Sequence, residues 1–282
     1  MLCVKIFVSV LAGFALSSHA TLLLHYDFDA ADAANKGSLG GAGAVFGGLT
    51  FVPSGADGTN PLAGQAAQFN RSTANGANGA NDAAIDTLFT ATALSISGAG
   101  GGYTTMAWMR FDGAAGDVMI FGQDLDPAGG SPSATGSDNP QLHHGIRNDG
   151  AGPTPSFHFG HWGNDINNPV GTAVVGQWMH VAYTWDPTNG ANLFVNGANM
   201  GTNPGAGALN GGADGANVTI GWMDRVGQGS FDGALDEVRI YDTVLNPAEI
   251  AIAMQTIPEP SSFALLGCSL LGMLAYRRRV AK

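Results

Sequence analysis

The sequence predicts an all-β protein, an antiparallel sandwich of short strands with one short helix near the C-terminus. Charged residues make up only 12% of the 282 residues, while glycine (43) and proline (13) are frequent. Such a composition is typical of many turns and few long helices. Short apolar segments, separated by turn residues at almost every junction, indicate strands. With 45% hydrophobic residues, the chain can bury one sizeable core.

The first predicted strand is Thr21–Phe28. Leu24 and Tyr26 alternate with His25 and Asp27, which is the pattern of a half-buried strand. Further strands are predicted, in chain order, at Gly64–Phe69, Thr104–Phe111, Asp117–Gly122, Ser156–Phe159, Trp178–Trp185, Leu193–Val195, Val218–Trp222 and Leu235–Tyr241. Because no helical period separates these segments, an antiparallel arrangement is favoured over a parallel α/β sheet.

Two other segments complete the predicted elements. The pattern over Ile85–Leu94 fits either a short helix or an edge strand. Only one helix carries good signals, because Asn246 can cap it, Pro247 suits its first position and Glu249 lies three residues after the cap. We therefore predict a single short helix that ends at Met254 and closes the domain.

Both ends of the chain are predicted to direct its export, and we call residues 1–20 and 258–282 the address segments. Lys5 precedes an apolar run and then Ser18-His19-Ala20, where small residues stand at the positions that a signal peptidase inspects. Residues 1–20 are thus predicted to be a cleaved signal peptide. At the other end, Pro258-Glu259-Pro260 is followed by an almost uncharged segment and Arg277-Arg278-Arg279. An apolar helix there would cross the inner membrane only marginally, with its arginines cytoplasmic.

The order of Pro-Glu-Pro, apolar helix and arginine cluster resembles the PEP-CTERM sorting signal of Gram-negative bacteria. The resemblance covers residues 258–282. It implies recognition by an exosortase, removal of the tail, and delivery from an inner-membrane intermediate to the cell surface or an extracellular matrix. A plain C-terminal anchor would contain the same helix and arginines, but the Pro-Glu-Pro favours the sorting signal.

Between these ends, blocks of sequence follow one another in a defined order. They are Thr21–Asp29, Gly64–Phe69, Gln177–Asp186, Leu193–Gly197, Ile220–Gly221, Phe231–Tyr241 and Leu245–Ile250. In this order they resemble the laminin-G-like jelly roll of concanavalin A-like sandwich proteins, and the last two blocks are the most specific. The resemblance implies a jelly-roll β-sandwich over residues 21–257, a fold that hosts lectins, enzymes and adhesion modules alike.

Asp236 is the candidate centre of a metal site. Simple alternation places it on the same face of the last strand as Val238 and Ile240, and a buried carboxylate needs donors or a cation. The resemblance implies calcium between the first-strand loop and the last strand, which would recruit Asp29 or Asp32 as oxygen ligands. Hydrogen bonds from backbone amides are the alternative and are favoured over calcium.

The richest polar cluster starts at His143-His144 and continues after residue 157. Its candidate ligand-binding residues are His158, His161, Trp162, Asn164, Asp165 and Asn167. Trp162 could stack on a sugar ring while the amides and the carboxylate bind hydroxyl groups. The alternative, which is favoured, is that Trp162 fills the core and the asparagines shape a turn. Zinc is disfavoured, since His158 and His161 do not share one face of a strand.

Catalytic groups are scarce. Glu237 and Glu249 are the only glutamates before the tail, and Glu237 adjoins Asp236, so strand alternation predicts that these two carboxyl groups face opposite ways. The 22 acidic residues outnumber the 11 basic ones, which excludes nucleic acid as a partner. We therefore predict a non-enzymatic exported protein that binds glycan or another surface polymer. A purely structural matrix component and, less favoured, a glycan hydrolase or lyase are the alternatives.

Overall fold

A computed structural model shows two antiparallel β-sheets packed face to face. It describes residues 20–55, 64–71, 82–97, 101–113, 116–124, 142–148, 155–167, 173–209, 216–223 and 229–255. The strands within these ranges are β1 (Leu22–Tyr26), β2 (Ala44–Phe46), β3 (Thr50–Pro53), β4 (Gln65–Phe69), β5 (Ala84–Thr90), β6 (Tyr103–Phe111), β7 (Val118–Asp124), β8 (Leu142–Arg147), β9 (Ser156–His161), β10 (Ile166–Asn167), β11 (Trp178–Asp186), β12 (Gly190–Val195), β13 (Ala198–Asn203), β14 (Asn217–Ile220) and β15 (Gly233–Tyr241). The helix α1 is Pro247–Ala253.

The two sheets are built from strands that are far apart in sequence. The eight-stranded sheet has the order β13-β12-β11-β6-β15-β4-β3, and β1 also pairs with β15. The seven-stranded sheet has the order β10-β9-β8-β7-β14-β5-β2. The chain crosses between the sheets several times, for example from β5 to β6 and from β14 to β15. The predicted all-β jelly-roll sandwich is thereby confirmed.

The main core lies between the sheets and is rich in aromatic rings. Tyr103 and Trp185 project from the eight-stranded sheet, while Phe121 and Phe159 project from the seven-stranded sheet, and all four are buried. A smaller cluster covers the outer face of the eight-stranded sheet, where the largest members are the buried Trp108 and Trp178. The sandwich therefore buries apolar side chains on both faces of this sheet.

The helix α1 forms as its sequence predicts. The Asn246 side chain accepts hydrogen bonds from the backbone N–H groups of Ala248 and Glu249, and the Glu249 carboxylate accepts from the backbone N–H of Asn246 at 2.8 Å. Trp108 donates its indole N–H to the carbonyl oxygen of Met254 at 3.1 Å. These contacts fix the helix against the outer face of the eight-stranded sheet.

The segment Ile85–Leu94 is neither a helix nor an edge strand. Its first part belongs to β5, which pairs with both β14 and β2 and so lies inside the seven-stranded sheet. Its last part is a turn. The sequence pattern of this segment could not distinguish a strand from a helix, because an interior strand and a short buried helix have similar apolar content.

The strand β15 contains a β-bulge that resets its alternation. The pairing with β6 shifts register between Asp236 and Arg239, and Glu237 adopts a positive φ of 50°. Leu235 and Val238 both face the core, so Asp236 faces outward. The predicted common face of Asp236 and Val238 is wrong, because the bulge inserts one extra residue between them. Asp236 and Glu237 also do not face opposite ways, since both carboxyl groups lie on the outer side of the sheet.

The predicted address segments fall mostly outside the described residues. Of the signal peptide at 1–20 only Ala20 is described, and the tail at 258–282, with its apolar helix, is not. Within the described ranges no helix is long and apolar enough to span a bilayer.

Candidate functional site

The candidate site lies on the outer face of the seven-stranded sheet, across β8, β9 and β10. In β8, Leu142, His144 and Ile146 point into the core. Because successive side chains of a strand alternate between faces, His143 and Arg147 point outward. The same alternation in β9 turns Phe157 and Phe159 inward and His158 outward.

Two histidine rings stack on this face. His143 lies opposite Gly160 in the neighbouring strand, and His158 lies opposite Gly145. Their ring centroids are 4.8 Å apart with 20° between the planes, and each residue is only 4% exposed. Gly160 is required here, because a Cβ at this position would lie 2.8 Å from the Cα of Asp165. The absent side chain lets Asp165 approach the two rings.

Each histidine has a polar partner from the chain that follows β9. The Nε2 of His143 lies 2.5 Å from Oδ1 of Asp165, and the Nδ1 of His158 lies 2.7 Å from Oδ1 of Asn167. An amide oxygen can only accept, so His158 carries its proton on Nδ1. Its Nε2 then presents a lone pair, which accepts from Arg147 at 3.3 Å.

Burial and charge set the ionisation of this cluster. Burial lowers the pKa of His158 to about 4, and the neighbouring His143 and Arg147 contribute in the same direction. For Asp165, burial raises the pKa, but the hydrogen bond from His143 and the nearby positive charges outweigh it, so the pKa is lowered overall. At neutral pH the site therefore combines a neutral imidazole with an ionised carboxylate.

Trp162 lies at the rim of the same face. It stands in the turn that follows β9. A hydrogen bond from the Asn164 N–H to the carbonyl oxygen of His161, at 2.7 Å, closes this turn. Its side chain is 38% exposed, and its ring meets His143 edge-on at 6.2 Å. The interpretation that Trp162 fills the core is wrong, because the turn begins at this residue and directs the indole outward.

Two predicted site residues have other roles. His161 points into the core, where its Nε2 lies 2.5 Å from the Tyr103 hydroxyl and its Nδ1 lies 2.9 Å from the Gly207 carbonyl oxygen. Asn164 accepts a hydrogen bond from the Gly207 N–H at 3.1 Å, so it fastens the turn. The structure therefore brings together four of the six predicted residues: His158, Trp162, Asp165 and Asn167.

Three further residues contribute to this face: His143, Arg147 and Asp117. The sequence places His143 in the polar cluster without a site role, and it gives no sign of the ion pair between Arg147 and Asp117, with Nε to Oδ1 at 3.4 Å. The reason is that β8 itself was not predicted. The alternation from Leu142 to Arg147 is the signal that could have revealed it.

The three aspartates predicted to bind calcium are not assembled into one set of ligands. Asp236 is 2% exposed and accepts hydrogen bonds from the Ser54 hydroxyl and from the next backbone N–H, the latter at 2.8 Å. Asp29 and Asp32 are exposed, and each accepts a backbone N–H. Among the residues that the structure describes, the one group of three metal-ligating side chains is at the stacked histidines. Calcium binding stays a prediction.

A cavity of about 400 Å³ lies elsewhere, between α1 and the outer side of β1 and β15. Its polar lining includes His25 and Arg239, and both are already paired with the Glu237 carboxylate. Ala20 and Gln255 also line it, and these residues lie in or next to the two predicted address segments in sequence. It is separate from the polar face of the seven-stranded sheet.

Several solved structures share this fold. Domain 4 of AbnA, a GH43 extracellular arabinanase from Geobacillus stearothermophilus, solved in complex with arabinotriose, is 18% identical with a TM-score of 0.58, over 84% of this chain and 99% of that one. The binding domain of Paraclostridial Mosquitocidal Protein 1 is 13% identical with a TM-score of 0.54, over 83% of this chain and 52% of that one. The binding domain of botulinum neurotoxin DC in complex with SialylT is 11% identical with a TM-score of 0.53, over 83% of this chain and 51% of that one. The chain thus spans about half the length of these toxin domains, and at such identities the likeness shows the fold.

Family comparisons extend this finding to the sequence. No curated protein matches the chain. Residues 256–279 match the PEP-CTERM protein-sorting motif, which implies export through a membrane-anchored sorting step. Residues 78–251 match the family described as the concanavalin A-like lectin/glucanases superfamily. The chain therefore belongs to the concanavalin A-like lectin/glucanases superfamily and carries a PEP-CTERM sorting motif.

Proposed function

We propose that the protein is a non-catalytic surface or matrix protein whose sandwich binds a glycan on the outer face of the seven-stranded sheet. The observation that carries this proposal is the exposed indole of Trp162, 38% accessible, which meets the ring of His143 edge-on at 6.2 Å, while His143 is in turn bonded to the Asp165 carboxylate. An indole ring has an electron-rich face, which attracts the C–H groups of a sugar ring. The Asp165 carboxylate and the Asn167 amide supply acceptors and donors for hydroxyl groups.

Other features support a binding role. The arabinanase domain with the same fold was solved with an arabinose oligosaccharide. The carboxyl groups of Asp236 and Glu237 are poorly placed as a catalytic pair, because the first is 2% exposed and the second is already bonded to His25 and Arg239. The PEP-CTERM motif accords with processing by a signal peptidase and an exosortase on the way to a polysaccharide-rich surface.

A glycan array probed with the purified protein tests the proposal. We expect binding to a defined set of oligosaccharides, and Trp162→Ala to weaken it by about thirtyfold or more, the effect of losing a central aromatic contact. The matched control is Ile252→Ala, which removes an apolar side chain of 57% exposure from α1 on the other side of the sandwich. If no glycan on the array binds, the purely structural role is favoured, and if a bound polysaccharide is turned over, an enzyme is favoured. If Trp162→Ala leaves binding undiminished, the glycan binds elsewhere on the protein.

A further inference from the structure

The stacked histidines have more ligating capacity than the protein itself uses. The Nδ1 of His143 is buried and has no hydrogen-bond partner, although a buried polar atom is normally paired because leaving it unpaired costs free energy. The Nε2 of His158 meets only the 3.3 Å contact with Arg147. The Nε2 of His143 is bonded to Asp165 Oδ1 at 2.5 Å, so an ion that His143 shares with this carboxylate would take the place of the proton between these two atoms, and Nδ1 would remain on the far side of the ring.

A carboxylate completes a compact set of donors. His143, His158 and Asp165 each offer one ligand atom, and these three atoms all lie within 4.8 Å of one another. A tetrahedral zinc ion with ligand distances near 2.1 Å holds its ligand atoms about 3.3 Å apart. Movements of the side chains by about 1.5 Å or less would therefore bring all three atoms onto one ion.

The surroundings also fit a metal. Asn167 holds the Nδ1–H of His158 at 2.7 Å, an outer-shell contact that fixes the tautomer and directs Nε2 to an ion. Arg147 is the competing group, but it is also paired with the carboxylate of Asp117 at 3.4 Å, which can retain the guanidinium when an ion takes its place on His158.

We propose that His143, His158 and Asp165 bind a divalent first-row transition metal, with zinc as the probe. Imidazole nitrogens favour zinc and its neighbours over calcium, which takes oxygen ligands. Three protein ligands leave the fourth position of a tetrahedral ion for water or for a hydroxyl group of a ligand. The spacing of His158 and His161 argued against zinc, but the partner of His158 is His143 from the adjacent strand. The proposal does not depend on glycan binding, because its readout is the metal alone.

Isothermal titration of zinc chloride into the full chain, purified without a polyhistidine tag and stripped with chelator, tests the proposal. We expect one zinc ion per chain, loss of this binding in His143→Gln and Asp165→Asn, and weakening by about 10- to 100-fold in the outer-shell variant Asn167→Ala. The control is His25→Gln, which removes a histidine from the other sheet and should bind zinc as the unmutated protein does. Circular dichroism in chelator establishes that each variant is folded.

The absorption spectrum of the cobalt(II)-loaded, unmutated protein keeps the test decisive if a variant does not fold. Intense d–d bands of a four-coordinate site support the proposal, whereas the weak bands of octahedral cobalt overturn it. No stoichiometric zinc in the folded protein would also overturn it, as would zinc affinity that is unchanged in both His143→Gln and Asp165→Asn.

Discussion

Replacing Asp236 by asparagine should stabilise the protein, although it alters a buried hydrogen-bonded residue. Burial raises the pKa of Asp236 to about 8, opposed by the hydrogen bond from Ser54 and reinforced by the negative charges of Glu237 and Asp29. The unfolded chain has a pKa near 4 for this carboxyl group. Folding at pH 7 must therefore protonate the group or bury its charge. An asparagine keeps the acceptor for the Glu237 N–H and offers an amide donor to the Ser54 oxygen, without this cost.

The size of the effect follows from the two pKa values. Between the unfolded and the folded pKa, each pH unit lowers the free energy of unfolding by about 1.4 kcal/mol. At pH 7 the buried carboxyl group therefore costs at most about 4 kcal/mol of stability. The amide forms a weaker hydrogen bond with Ser54 than the acid does, so we expect a gain of about 1 to 3 kcal/mol. Because the folded state holds the proton more tightly, the stability of the unmutated protein falls as pH rises from 4 to 8. The gain from Asp236→Asn should vanish below pH 4 and level off above pH 8.

Urea denaturation of both proteins at pH 4.5 and pH 8 measures this difference. Asp186→Asn is a control of opposite sign: burial raises the Asp186 pKa, but the hydrogen bonds from Asn189 and Thr188 together outweigh it, so the pKa is lowered overall. That substitution should destabilise the protein at pH 8, and less so at acid pH. If Asp236→Asn destabilises the protein at pH 8, or if its effect does not depend on pH, the carboxyl group is ionised in the native state and the reasoning is wrong.

Three further predictions concern stability, calcium and processing. Trp178→Ala should cost about 3 to 5 kcal/mol, because this indole is 4% exposed and packs with Trp108 on the outer face of the eight-stranded sheet; an unchanged melting temperature would contradict this. The calcium hypothesis makes the opposite claim about Asp236: calcium, and magnesium only poorly, would raise the melting temperature, and Asp236→Asn would abolish the rise. Because Asp236 is already hydrogen-bonded to Ser54, we expect equal melting temperatures in calcium and in chelator, and a calcium-dependent rise would contradict this. Mass spectrometry of the surface-associated protein should find residues 1–20 and the arginine-containing tail removed, and an intact Arg277-Arg278-Arg279 on extracellular protein would exclude sorting.

The features that could be predicted from the sequence depend on neighbours in the chain. The capping box of α1 joins Asn246 to a residue three positions later, and the core face of β1 follows from the alternation of Leu24 and Tyr26. The sorting motif is a linear signal, and the family match confirms it. In each case the interacting groups are brought together by the geometry of one element, so the order of residues is sufficient.

The candidate site instead depends on contacts between separate elements. His143 and His158 meet only because β8 and β9 pair in one register, and shifting that register by one residue would turn one histidine into the core. The bulge at Glu237 reversed the face of Asp236, a change that no alternation pattern shows. The exposure of Trp162 depends on where β9 ends and its turn begins. Composition and pattern thus determined a β-sandwich with a C-terminal sorting motif, whereas strand register decided which polar groups share a surface. Register depends on packing across the whole sandwich, because it pairs strands that are distant in sequence.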